Sequence, residues 1–270
     1  MTALPAIPVH LPGRTAITIA GAHRLPFLEG LLTQRIDDIA PGDLRHGALL
    51  TPQGKIVTDM MIFAFDDALQ LDVPSEAADD LVKRLTVYRL RAKVTIEVTD
   101  EVVAIGAPGT GTADPRASGL GDRLIVDRAD AGPLDAYHLA RYAAGVPDAG
   151  ADYTLGDAFP HDVNMDLTGS VDFTKGCFVG QEVVSRMRHR GTARRRTVIV
   201  SAEAPLPPAG TPLTVDDKPV GTLGSSVAEA GLAVVRIDKA GETAMAGDVP
   251  VRLTVPPGAP FNLAGAASAA

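Results

Sequence analysis

Hydrophobic and polar residues alternate along several short stretches of this chain, with the spacing expected of β-strands. Residues 14–20 alternate in this way, and the four leucines between residues 25 and 32 then recur at helical spacing. Residues 46–65 predict two strands around a Pro-Gln-Gly turn at 52–54, and residues 69–73 predict a third. The first part of the chain is therefore predicted to contain an antiparallel meander.

Further elements follow this meander. Ser75 is a candidate N-cap for an amphipathic helix that continues to Val87, and residues 93–98 alternate as a strand again. Residues 123–127 and 134–140 are also strand-like. This order of elements is typical of an α+β unit rather than of a repeat protein.

Glycine, proline and small polar residues mark the connections. Residues 107–122 are rich in all three and predict a mobile connection between two lobes, and Pro160 is a candidate first-turn residue of a short helix. Residues 197–258 contain short apolar runs separated by turn residues, the pattern of a small antiparallel barrel or sandwich. The tail, residues 259–270, is expected to be frayed.

Composition narrows the class of protein. A chain of 270 residues with 46% hydrophobic content is long enough for two or three lobes and argues against global disorder. Its apolar runs are too short to span a bilayer, and its start lacks the basic and apolar regions of a signal peptide. The single cysteine excludes an intrachain disulfide, which agrees with a reducing compartment. We therefore expect a cytoplasmic protein without a membrane partner.

One short segment is strongly positive, although the chain as a whole has a negative net charge. Residues 186–196 contain six arginines and no acid, and removing them takes the net charge from −8 to −14. Arginine holds carboxylates and phosphates bidentately, so this segment suits the carboxylate tail of a small ligand, an RNA backbone or an acidic protein. The alternative is a solvated and partly paired face.

The stretch KGCFVGQE, residues 175–182, contains the only cysteine. A thiolate is the reactive form of cysteine, and a nearby ammonium or helix N-terminus lowers the thiol pKa. Lys175 and Cys177 are two residues apart and would share a face if the segment were extended. Gly180 allows a turn into a helix that ends near Gly191. The alternative is that Cys177 is an ordinary small buried residue.

Other chemical motifs are weaker. The six histidines have no HxxxH spacing, and one cysteine cannot form a CxxC pair, so no metal site within one chain is expected. An iron–sulfur cluster shared between molecules is an open alternative, because Cys177 could supply one of the roughly four thiolates that such a cluster needs.

Residues 172–191, DFTKGCFVGQEVVSRMRHRG, closely resemble the signature of YgfZ-type folate-binding proteins. These proteins belong to the superfamily of the glycine-cleavage T-protein, an aminomethyltransferase, and have mitochondrial relatives that assist iron–sulfur assembly. Residues 31–39, 49–60, 86–96 and 144–150 are similar to further family segments. The resemblance covers about residues 14–196 and continues more weakly through the C-terminal part. It implies a three-lobed, T-protein-like α+β architecture with folate in a central channel and a C-terminal antiparallel β-barrel.

The resemblance also implies site residues. Lys175 and Cys177 would provide the reactive or docking chemistry, and Asp59 would approach the folate. Thr58 stands where the T-protein pattern is often acidic, which argues against aminomethyl transfer. The residues expected to bind tetrahydrofolate or another folate derivative are Asp59, Tyr88, Arg89, Gly176, Gly180, Gln181, Glu182 and Arg186.

The implied function is that of a folate-binding accessory protein for the assembly or repair of iron–sulfur proteins, and indirectly for tRNA modification. Its partners would be folate and iron–sulfur client or assembly proteins, with tRNA contact as a further option. Two alternatives stay open: a tetrahydrofolate-dependent one-carbon transferase, and an adaptor that binds RNA or protein through its arginines.

Overall fold

A computed structural model describes residues 3–265 and contains four helices and fifteen strands in that range. The helices are α1 (Arg24–Glu29), α2 (Ser75–Arg89), α3 (Asp135–Ala144) and α4 (Gln181–Arg190). The strands are β1 (Val9–His10), β2 (Arg14–Ala20), β3 (Leu44–Leu50), β4 (Ile56–Ala64), β5 (Ala68–Pro74), β6 (Thr95–Val98), β7 (Val102–Gly106), β8 (Thr112–Ala113), β9 (Asp122–Val126), β10 (Arg195–Ala202), β11 (Pro212–Val215), β12 (Lys218–Val227), β13 (Ala230–Arg236), β14 (Thr243–Ala246) and β15 (Val249–Thr254).

A five-stranded antiparallel sheet in the order β3-β4-β5-β2-β6 confirms the predicted meander. Almost every residue of β4 is buried, because α2 covers one face of the sheet and residues 158–184 pack against the other. Ser75 is the first residue of α2 rather than its N-cap, and its hydroxyl lies 2.7 Å from that of Thr15. Pro74 precedes the helix because its fixed φ suits a helix start.

The second sheet has the order β1-β7-β9-β8 and packs beside α3. The strand prediction for residues 134–140 is wrong, because this stretch lies mostly in α3. Tyr137 and Arg141 are buried four residues apart, a helical period, and Gly145 ends the helix with φ 67°. Pro160 lies in a succession of turns and begins no regular helix.

Residues 107–122 differ from the expected mobile connection. They contain β8 and three buried charged side chains, of which Asp114 and Arg116 are joined by two side-chain hydrogen bonds of 2.8 and 3.1 Å, while Asp122 accepts from the Gly109 and Gly111 amides. Buried ions persist only where they are paired. The pairing therefore orders a segment whose composition is typical of a loop.

The C-terminal strands form a closed antiparallel barrel in the order β10-β13-β12-β11-β14-β15, as expected. Its interior is filled by aliphatic side chains from alternate positions of the strands. Part of the tail expected to be frayed is ordered, because Leu263 packs into this core and the Ala264 amide donates to the Ala240 carbonyl. Residues 266–270 lie outside the described residues. Within 3–265, the helices all lack the length and apolar character that a membrane crossing requires.

Candidate functional site

The loop before α4, residues 171–180, carries the single cysteine and is bent rather than extended. Lys175 is buried, and its Nζ donates to the carbonyl oxygens of Glu29, Leu32 and Gln34 at 2.7, 2.8 and 2.7 Å. The Glu29 carboxylate lies 3.3 Å away. Burial lowers the pKa of Lys175, although Glu29 opposes this shift. Three carbonyls use all three protons of the ammonium, so Lys175 acts as an anchor.

Cys177 is exposed, whereas Lys175, two residues before it, is buried. The alternative that Cys177 is an ordinary small buried residue is therefore wrong. The expected pairing of Lys175 with the thiol is also wrong, because the bends turn the ammonium inward and the sulfur outward. Among residues 3–265, no hydrogen bond joins the two side chains.

Asp172 holds the start of the loop. Its Oδ1 accepts hydrogen bonds from the Thr174 amide at 2.7 Å and the Lys175 amide at 3.1 Å, and its Oδ2 accepts one from Arg35 Nε at 2.8 Å. Partial burial raises the pKa of Asp172, but the bonds from Thr174 and Arg35 outweigh it and lower the value to about 2. The carboxylate is therefore ionised and fixes the turn that leads to Lys175.

Gly180 holds the end of the loop. Its φ is 79°, and a Cβ atom there would lie 2.6 Å from the Thr51 carbonyl oxygen, so only glycine fits. Phe178 and Val184 pack with apolar residues of β3 and β4, which seats the start of α4 against the hairpin turn. Gly176 has open space around its Cα. The loop is thus fixed at Asp172, Lys175, Phe178 and Gly180, with Cys177 exposed between them.

Asp59 lies on β4, away from solvent, in a chain of polar contacts. Its Oδ2 is 3.3 Å from His46 Nε2, His46 Nδ1 is 2.6 Å from Ser170 Oγ, and Ser170 is 2.6 Å from Thr168 Oγ1. Burial raises the pKa of Asp59, but the His46 bond and the Arg14 charge leave it below its usual value. Burial lowers the pKa of His46 despite Asp59. We therefore assign an ionised Asp59 that accepts from a neutral His46.

The second oxygen of Asp59, Oδ1, is buried and has no hydrogen-bond partner in the described chain. Asp59 lines a cavity of about 10 Å³, roughly the least volume that one water needs. Ligand sites for molecules of drug size have volumes of about 300–1,000 Å³. A carboxylate suits the amidine-like edge of a pterin, but the space beside Asp59 does not accommodate one. The residues that line the cavity include Val146, Pro147, Tyr153, Val163 and Met165.

The other residues expected to bind folate are not brought to this cavity. Tyr88 and Arg89 are exposed at the C-terminal end of α2. Glu182 and Arg186 point outward from α4 and form only a 3.8 Å ion pair with each other. Gln181 is the first residue of α4 and does not line the cavity. The structure therefore groups the KGC residues in one loop and leaves Asp59 in a separate, buried site.

Sequence reasoning missed a buried ionic network beside Asp59. Arg116 donates to Asp114, Asp148 and Tyr137 at 2.8, 2.8 and 3.1 Å, and with the Nε bond to Asp114 these contacts use four of its five guanidinium N–H groups. Arg123 bonds to Asp72 at 2.7 Å. Apart from Asp114, which is two residues from Arg116, the partners lie 21 or more residues apart in the chain. No local sequence signal could have paired those distant residues.

The arginine-rich segment is divided by the fold. Arg196 is buried and bonds to Asp166 at 2.6 and 3.0 Å, and Arg195 lies 3.5 Å from Asp157. Arg188 lies over the ring of Phe173, 4.0 Å from its centroid. The remaining arginines are exposed along α4 and just after it.

Comparisons with known proteins agree with this architecture. Residues 194–261 match the family model described as the CAF17 C-terminal β-barrel domain. The chain is 32% identical to the human mitochondrial iron–sulfur cluster assembly factor IBA57, over 85% of this chain and 77% of the human protein. The chain belongs to this family. The mouse protein of the same name is 29% identical, over 84% of this chain and 76% of the mouse protein.

A solved structure places this IBA57-family chain in a known fold. The glycine cleavage system aminomethyltransferase T from Bartonella henselae superposes with a TM-score of 0.76 at 16% identity, over 94% of this chain and 86% of the other. At this identity the likeness shows the fold alone, and it confirms the expected T-protein-like architecture. The named IBA57 relatives are mitochondrial, so they do not support the expected cytoplasmic location.

Proposed function

We propose that this protein works as an iron–sulfur cluster assembly factor by offering the Cys177 thiolate to a cluster that a partner protein also holds. One observation carries the proposal: the single cysteine is exposed on a loop whose neighbours on both sides are fixed. Family membership supplies the functional class.

The number of ligands requires a partner. Iron–sulfur clusters are held by about four thiolates, and this chain contains one cysteine. An exposed sulfur can enter a site completed by another protein, whereas a buried one could not. Because Lys175 and Gly180 already hold the loop, little conformational freedom would be lost when the sulfur binds.

Folate binding stays a prediction from the resemblance. Asp59 has a free carboxylate oxygen, but its cavity does not accommodate a pterin, so no step of the proposal passes through folate. A calorimetric titration with tetrahydrofolate would test whether the cavity opens. The one-carbon transferase is the weaker alternative, because Thr58 is a buried hydroxyl that donates to the Asp59 carbonyl and supplies no second carboxylate.

A role in tRNA modification would be indirect. Some enzymes that modify tRNA contain iron–sulfur clusters, so a loss of cluster assembly would lower their activity. This proposal needs no contact between the protein and tRNA.

The test is exchange of a two-iron cluster from its soluble glutathione complex under anaerobic conditions. The wild-type protein should displace one glutathione and change the visible absorption of the cluster. Cys177→Ser should remove this change while the thermal unfolding curve stays the same, since serine is nearly isosteric. In cells that lack the protein, the same variant should fail to restore iron–sulfur enzyme activity. A fully active, normally folded Cys177→Ser protein would refute the proposal.

A further inference from the structure

We infer that the exposed arginines of α4 and the segment after it form a docking surface for an acidic protein. This arginine surface wraps around the second half of α4: Arg186 and Arg190 share one side of the helix, Arg188 lies on another side over Phe173, and Arg194 follows the helix. The inference rests on the proposed function in one respect, because the docked protein would be the one whose cluster Cys177 shares. Its own evidence is the exposure, pairing and position of the four side chains.

These arginines lack the internal partners that other arginines of the chain have. Within residues 3–265, Arg188, Arg190 and Arg194 have no carboxylate oxygen within 4.0 Å. Arg186 has one at 3.8 Å, from a Glu182 side chain that is 91% exposed. Such a pair in full contact with water contributes little. The guanidinium groups are therefore free to bind carboxylates of another molecule.

Two of these arginines repel each other along the helix. Arg186 and Arg190 are four residues apart, a separation at which like charges repel on a helix surface. The chain could have alternated acids with these arginines, as it does between Asp80 and Arg84 on α2. A bound acidic surface would relieve this repulsion.

The arginine surface lies next to the cysteine loop. Helix α4 begins four residues after Cys177 and is about 15 Å long at 1.5 Å per residue. Arg188 folds back over Phe173, which lies in the same loop as Cys177. An interface of ordinary size covers about 800 Å² on each partner. One protein can therefore cover both Cys177 and the arginine surface.

Charge favours an acidic protein over RNA. The rest of the chain has a net charge of −14 once residues 186–196 are set aside, so a long polyanion that extends beyond this surface meets repulsion. No aromatic residue occurs between residues 181 and 196 on which bases could stack. Guanidinium groups bind carboxylates bidentately, and a cluster held by four thiolates is itself anionic. A compact acidic surface around a cluster matches both features.

The experiment uses two probes: a short fluorescent poly-L-glutamate peptide that fits within the arginine surface, and a single-stranded RNA that extends beyond it. The wild-type protein should bind the peptide more tightly than the RNA, and added salt should weaken both. The triple variant Arg188→Glu, Arg190→Glu, Arg194→Glu should lose at least about tenfold in peptide affinity. The matched control changes three exposed cations elsewhere: Arg128→Glu, Lys218→Glu and Arg252→Glu. The control should bind as the wild type does.

Two results would overturn the inference: equal loss in the triple variant and the control, or tighter binding of RNA than of the peptide. Thermal melts of both variants check that the fold is intact. Cys177→Ser separates this inference from the proposed function. It should keep full peptide binding while it loses cluster exchange, so each can fail without the other.

Discussion

Replacing Lys175 by methionine should destabilise the protein more than the same replacement at any other lysine. Methionine keeps most of the side-chain volume but removes the ammonium, which leaves the Glu29, Leu32 and Gln34 carbonyls without their donor. The lysine side chain is 0% exposed, so water does not easily replace it. A hydrogen bond to a charged group contributes about 1.5–3 kcal/mol, and breaking a buried ion pair costs about 3–5 kcal/mol.

These contributions are not additive, because burial of the ammonium is itself unfavourable and already lowers its pKa. We therefore expect the free energy of unfolding to fall by about 3 kcal/mol in Lys175→Met. Urea denaturation measures this loss. Lys218→Met, on the exposed part of β12, is the matched control and should change it by less than about 0.5 kcal/mol.

A second readout follows the loop itself. Since Lys175 anchors the loop, its loss should change the rate at which iodoacetamide alkylates Cys177 in the native protein. A loss of stability below about 1 kcal/mol, together with an unchanged alkylation rate, would refute the role of Lys175 as an anchor. A lower alkylation pH in wild type than in Lys175→Met, without any loss of stability, would instead restore the thiol-activating role.

Two further predictions concern buried or constrained positions. Asp114→Asn should lower stability at neutral pH by about 3–5 kcal/mol, because it leaves Arg116 and Arg123 short of a buried partner. Burial raises the pKa of Asp114, but the two arginines lower it to about 2, below the unfolded value of 3.8. The stabilisation from Asp114 is therefore present above pH 4 and is lost as the pH falls towards 2. A plot of unfolding free energy against pH, measured by urea denaturation, should be flatter over that range for Asp114→Asn than for the wild type, and an unchanged slope would contradict this. Gly180→Ala should lower the melting temperature more than Gly169→Ala does. Both glycines have positive φ, a conformation that costs alanine about 1–2 kcal/mol, but only at Gly180 would the added Cβ lie 2.6 Å from a backbone oxygen. Equal losses would show that no clash with Thr51 occurs.

Local sequence patterns predicted much of the fold correctly. The bounds of β2 and the ends of α4 at Gly180 and Gly191 follow from alternation and from glycines that adopt positive φ. The barrel was predicted from short runs between turns. Each of these features depends on residues within a few positions of one another, which is why sequence alone was enough.

Residues 134–140 show where a local pattern misleads. Alternation over seven residues fits a strand, but the burial of Tyr137 and Arg141 against neighbouring elements requires a helix. Similarly, glycine and proline between 107 and 122 suggest mobility, whereas Arg116 and Asp114 order the segment through ion pairs. Tertiary contacts outweighed local propensity in both places.

The candidate site divides in the same way. Sequence alone determined that the chain has one cysteine, that it precedes a helix and that basic residues follow it, because these are properties of neighbouring residues. Only the tertiary structure decided that Lys175 turns inward and Cys177 outward, since the carbonyls that hold the ammonium lie more than 140 residues away in the chain. It also decided that His46 partners Asp59 beside a small cavity. A charged group's partner depends on which distant segments pack together, and no local pattern encodes that.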